Sequence, residues 1–115
     1  MITNFETITD ELTEHELSLV PLLVQGFRKH GINSPIKAPE IVHGMNRHLQ
    51  SKKFTEARLR KCVNYIRSNS IIPLIATSSG YYVSFDQDVI KSQIKSLEQR
   101  ARSIQNCADG LNKFL

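Results

Sequence analysis

Between Ser70 and Ser84 the hydrophobic period of the chain changes, and that change limits the fold more than any other feature. The stretch "NSIIPLIATSSGYYVSFD", residues 69–86, holds two short β-branched and aromatic runs hinged at Ser78-Ser79-Gly80. This is the pattern of a β-hairpin. Pro73 cannot donate to a ladder, so it belongs at an edge or at the start of a strand. On both sides of the hairpin the apolar residues recur at helical spacing instead. A mainly α chain with one small β-hairpin follows.

Three helices are predicted ahead of the hairpin. At "LTEHEL", Thr13 and Glu16 have the spacing of a capping box, with Leu12 and Leu17 placed as a hydrophobic staple. Leu17, Val20, Leu23, Val24 and Phe27 then fall on one stripe. Arg28, Lys29 and His30 suit a helix C-terminus, Gly31 suits the C′ position, and Pro21 predicts a kink or restart. The second helix opens at Pro39 and buries Ile41, Val42, Met45 and Leu49. Gly44 within it suggests the close approach of another element. The third is capped by Thr55, stapled by Phe54 and Leu59, and buries Leu59, Cys62, Val63 and Ile66. After the hairpin, Asp86 caps a long final helix, with Phe85 and Ile90 again at staple positions. The expected organisation is a frayed acidic N-terminus over 1–12, a domain over 13–85 and a C-terminal helix over 86–115.

Charge is distributed unevenly along these elements. Residues 1–27 carry Glu6, Asp10, Glu11, Glu14 and Glu16 and no Lys or Arg. Residues 28–67 carry ten basic residues (Arg28, Lys29, Lys37, Arg47, Lys52, Lys53, Arg58, Arg60, Lys61 and Arg67) against Glu40 and Glu56. Such clustering gives one side of a fold a positive potential, the footprint of a nucleic-acid binder. No apolar run is long enough to span a bilayer. The opening residues are acidic and lack an apolar core, which argues against a secretory signal. Two cysteines without such a signal fit a reducing cytoplasm.

Helix, turn, helix and hairpin is the order of a winged helix-turn-helix, in which the third helix enters the major groove and the hairpin lies beside it. The chain resembles that superfamily: "PEIVHGMNRHL" corresponds to the supporting helix, "FTEARLRKCVNYIRSN" to the recognition helix and "LIATSSGYYVS" to the wing. It is also similar to small phage- or prophage-type winged-helix proteins that end in a "GYY(V/I)S.D…I…SLE.RA..I" stretch. The matching residues are Gly80-Tyr81-Tyr82-Val83-Ser84, Asp86, Ser96-Leu97-Glu98, Arg100-Ala101 and Ile104. The resemblance implies a duplex-DNA-binding protein of phage or mobile-element type, with the recognition helix over 55–69 and the wing over 72–84.

On a helical wheel the third helix turns Ala57, Lys61, Asn64 and Ser68 outward. Arg60 and Arg67 flank one side, Arg58 and Tyr65 the other. Asn64 and the arginines can pair with base edges, while Lys61, the flanking arginines and Lys53 ahead of the helix suit phosphates. Ser78 and Ser79 at the hairpin tip offer hydroxyls and backbone N–H groups to phosphate. The tip carries no Lys or Arg, so the hairpin reads mainly as architecture, with Tyr81 or Tyr82 packed in the core.

The final helix offers a second function. Ile90, Ile94, Leu97, Ala101, Ile104, Ala108, Leu111 and Leu115 alternate spacings of four and three, a heptad seam. Leu97, Ala101, Ile104, Ala108 and Leu111 are the expected dimerisation residues. The alternative is an adaptor that docks a protein partner through this helix without touching DNA. A third arrangement packs its first turns on the chain's own first helix. Ala101 and Ala108 thin the seam, Gly110 lies within the same stretch, and the flanking positions form no good ion pairs.

Enzyme chemistry finds little footing. His43 and His48 are five residues apart and do not share a helix face as zinc ligands do. No glycine-rich phosphate loop is present, and the helical phase of Cys62 places it in the core. A non-enzymatic protein with no cofactor, metal, membrane or small-molecule substrate is expected.

Overall fold

The computed structural model describes residues 11–115. The acidic stretch expected over 1–12 therefore lies, except for Glu11 and Leu12, outside the described residues. The chain divides into two compact units, one ending at Ser84 and one comprising Phe85–Leu115.

The first unit opens with α1, Glu14–Phe27. Thr13 Oγ1 accepts from the Glu16 N–H at 3.1 Å and Glu16 Oε1 accepts from the Thr13 N–H at 2.9 Å, closing the expected capping box. The helix runs through Pro21 without a restart. Pro21 lies on the exposed side, so the Leu17 carbonyl that loses its donor remains within reach of water. The buried stripe is Glu16, Leu19, Val20, Leu23 and Phe27, and Leu17 is exposed. Apolar residues occur nearly all round this helix. Packing against the third helix selects the face that carries Glu16, which apolar spacing alone could not do. Gly31 is not the C′ residue expected: the helix ends on Arg28 in ordinary right-handed geometry, and positive φ among glycines occurs only at Gly80.

Helix α2, Ala38–Leu49, begins one residue ahead of Pro39 and buries Ile41 and Met45, with Val42 and Leu49 half-buried. It closes on Gln50 in the left-handed conformation, with Gln50 N–H donating to the Arg47 carbonyl and Ser51 N–H to the Asn46 carbonyl. Gly44 meets no other element, since a Cβ there would have nothing within 4 Å. It opens instead onto a cleft between α1 and α2 lined by Leu22, Gly26, Phe27, Ile41 and Met45.

Helix α3, Glu56–Ser68, is the centre of the unit and packs against both earlier helices. Thr55 caps it by accepting from the Arg58 N–H at 3.2 Å, and Phe54 and Leu59 are both buried, as the staple requires. Leu59, Cys62, Val63 and Ile66 form its buried stripe, as expected from their spacing. The strands β1, Leu74–Thr77, and β2, Gly80–Val83, pair antiparallel in the register Leu74 to Val83 and Thr77 to Gly80. The expected hairpin is therefore present, bounded more tightly than 72–84, and Pro73 stands just ahead of β1.

The second edge of β2 is also occupied, which spacing did not predict. Ile36 and Tyr81 exchange both backbone hydrogen bonds, at 2.8 and 2.9 Å, and Val83 N–H donates to the His30 carbonyl at 2.9 Å. Gly80 makes the close approach possible: its φ is +127°, and a Cβ there would lie 2.6 Å from the Ile36 carbonyl oxygen. The connection between α1 and α2 is thereby fastened to the hairpin.

The second unit is helix α4, Gln87–Asn112. Asp86 caps it, one carboxylate oxygen accepting from the Asp88 and Val89 N–H groups at 2.9 and 3.3 Å. Phe85 is 77 % exposed, so the staple expected with Ile90 buries little. None of the residues of α4 is buried, and no helix among the described residues is long and apolar enough to cross a membrane.

Candidate nucleic-acid interface

The turn that joins α2 to α3 is built by one side chain. The Asn46 amide spans it, its Nδ2 donating to the Phe54 carbonyl and its Oδ1 accepting from the Phe54 N–H, both at 2.9 Å. Phe54 is thereby held in the core while Lys52 and Lys53 between the two anchors are exposed. Lys53 N–H donates to Ser51 Oγ at 3.1 Å, which adds a local constraint. Ala57 and Arg60 continue the exposed surface onto the first turns of α3, with Asn64 half-buried one turn on and Arg58 half-buried on the opposite flank. Among the described residues no salt bridge involves Lys52, Lys53, Arg58 or Arg60. This is a compact positive surface around a helix N-terminus whose small Ala57 permits close approach.

Lys61 is not part of that surface. Its Nζ lies 2.8 Å from Glu16 Oε1, with side-chain exposures of 12 % for Lys61 and 4 % for Glu16. The same carboxylate oxygen closes the capping box of α1, so one atom fastens the start of α1 to the middle of α3. Burial pushes the Glu16 carboxyl up, but its hydrogen bonds to Lys61 and Thr13, together with the ammonium charge, outweigh that and hold it below its ordinary value. The wheel places Lys61 outward at the Cα, yet its four-carbon stem swings the charge to α1. Only the tertiary position of Glu16, far off in sequence, reveals this. The capping-box motif was legible; its second use was not.

Arg67 is also engaged, its Nε donating to the Leu74 carbonyl at 2.9 Å, which fastens α3 to β1. At the hairpin tip Ser78 and Ser79 are exposed. The Ser79 N–H donates to Thr77 Oγ1 at 3.2 Å, so the hydroxyls are what this residue offers. Both tyrosines of β2 serve packing: Tyr82 is buried and Tyr81 sets its ring 5.7 Å from that of Phe27, tilted by 59°. Of the expected contact residues, Lys53 and Arg60 are exposed and Arg58 and Asn64 half-buried, with Arg58 and Arg60 on opposite flanks of α3. Lys61 and Arg67 work as internal ties. Lys52 belongs with the surface, and its adjacency to Lys53 was the signal for it.

Cys62 is fully buried and its thiol is pushed up to about 11, first by burial and then by the Glu16 charge, with Lys61 and Arg58 opposing. Nucleophilic use of this thiol is disfavoured. Among the described residues no three His, Cys, Asp or Glu side chains converge as a metal site. No family model, curated protein or solved structure matches this chain.

Proposed function

We propose that residues 13–85 form a winged helix-turn-helix that binds duplex DNA, with α3 in the major groove. The observation that carries this reading is the exposed cation group Lys52, Lys53 and Arg60, with the half-buried Arg58, at the turn into α3, which the Asn46 clamp holds in place. The hairpin lies against the other end of α3 through Arg67 and Leu74, as a wing would. In this reading Lys52, Lys53 and the arginines meet phosphates and position the helix, while Asn64 meets base edges. Ser78 and Ser79 contribute hydroxyl contacts at the wing tip, and the wing itself is chiefly a brace.

Fluorescence anisotropy on a random-sequence duplex tests the proposal. Four phosphate contacts at about 0.9 each give a slope of log affinity against log salt of about −3 to −4. Changing Lys53 and Arg60 together to Ala makes that slope shallower by about 2. Absence of binding at low salt, or a slope indifferent to the double change, overturns the reading.

A second role rests on α4, whose apolar row Ile94, Leu97, Ile104 and Leu111 is exposed. We read this helix as a dimerisation element joining two copies of the DNA-binding unit. The competing role is capture of a different protein by the same row. Mass by light scattering on the full chain separates them, since only the first yields a dimer of the chain alone.

A further inference from the structure

We propose that α4 pairs with α4 of a second copy in the antiparallel sense, with the two-fold axis between residues 102 and 103. The inference rests on reading α4 as the dimerisation element and supplies its direction and register. It comes from the sizes of the seam residues. In a parallel pair every seam residue faces its own counterpart, so Ala101 faces Ala101 and Ala108 faces Ala108. Those layers of two methyl groups flank a layer of two isoleucines at 104. The distance between packed helices is set by the side chains at the contact, about 8–10 Å, and one straight pair cannot suit both kinds of layer.

Reversing one helix removes the conflict at the alanine layers. Leu97 then faces Ala108 of the second copy, Ala101 faces Ile104 of the second copy, and Ile94 faces Leu111 of the second copy. Each alanine is covered by a branched side chain, and large meets small in adjoining layers, the arrangement that fills a core without voids. The positions beside the seam agree. Glu98 lies against Gln105 of the second copy and Lys91 against Asn112 of the second copy, so no like charges meet. Sliding the antiparallel pair by one heptad towards the N-terminus sets Glu98 against Glu98 of the second copy and leaves Leu111 unpaired.

The helix also has the length and exposure this needs. It contains 26 residues, none of them buried, and so spans about 39 Å at 1.5 Å per residue. Burying the four large residues and two alanines of each seam removes on the order of 1,000 Å² in total, the lower bound for a specific interface. The dimer is therefore concentration-dependent. Antiparallel pairing sets the two Gln87 residues about 45 Å apart rather than side by side, which makes the helix pair a spacer.

The test uses the full chain carrying Cys107→Ser and Asn112→Cys, with a nitroxide on residue 112. Cys62 is buried and stays unlabelled in the folded protein. Light scattering reads the mass and pulsed electron resonance reads the distance between labels. In the proposed register residue 112 lies level with residue 93 of the second copy, a separation of about 30 Å. A dimer with that distance is the expected result. A dimer with labels about 10–15 Å apart is parallel and overturns the proposed direction, while self-association through α4 stands. A dimer with labels near 20 Å or clearly beyond 30 Å, the distances of the pair slid by about one heptad either way, overturns the register. A monomer at high micromolar concentration overturns both the pairing and the reading beneath it.

Discussion

Replacing Lys61 with Met removes an ammonium that sits 2.8 Å from a carboxylate only 4 % exposed. Glu16 then retains its hydrogen bonds with Thr13 but has lost its counter-charge. Removing one partner of a buried pair costs about 3–5 kcal/mol, and the surviving Thr13 bonds place this case near 3. For a unit of this size that lowers Tm by about 12–24 °C. Glu16→Gln behaves differently. Glutamine still accepts from the Thr13 N–H, and the Lys61 head can turn to water, so its cost is about 1–2 kcal/mol. The double change leaves neither charge buried and falls near wild type, giving a coupling above about 2 kcal/mol. Urea unfolding of the four proteins, followed by circular dichroism at neutral pH, measures the cycle. Because Glu16 is held below its ordinary value of 4.5, the stability from its ionisation is complete above that pH. It is lost as pH falls through the folded-state value, and Glu16→Gln lacks this acid dependence. A Lys61→Met cost within about 0.5 kcal/mol would mark Lys61 as an ordinary surface lysine. The reasoning would then fail, and Lys61 would return to the outer face of α3.

Three further outcomes follow from particular contacts. Gly80→Ala combines a φ of +127° with a Cβ 2.6 Å from the Ile36 carbonyl oxygen, so it should destabilise by at least about 2 kcal/mol in urea unfolding; a smaller loss would mean the Ile36–Tyr81 bridge is not held tightly. Gly44→Ala points into open space on a helix, so it should stabilise by about 0.5–1 kcal/mol, read as a higher urea midpoint with unchanged slope. A thiol reagent at pH 8 should modify the exposed Cys107 in the native chain and reach Cys62 only after denaturant is added, because burial holds that thiol near 11; mass spectrometry counting two adducts on the folded chain would contradict this.

Most of the local structure was legible because it depends on residues within four of each other. Thr13 with Glu16, Thr55 with Arg58 and Asp86 with Asp88 and Val89 satisfy helix-end N–H groups that have no other partner nearby. The buried stripe of α3 was legible too, because its apolar residues occupy one face and its charges the other. The face that α1 buries was not, because apolar residues surround that helix and only the position of α3 chooses among them. The surface near α3 divides in the same way. Lys52, Lys53 and Arg60 are exposed wherever the neighbouring turn is placed, whereas the fate of Lys61 depends on a carboxylate 45 residues away. Ile36 is an apolar residue among Asn, Ser and Pro, without the alternation that marks a strand, and it forms a single bridge to Tyr81 where Gly80 lets β2 approach. Short-range hydrogen bonding and helical phase are written residue by residue. Pairings across the chain exist only after the elements have packed, and they decided which cations of this protein face solvent and which hold it together.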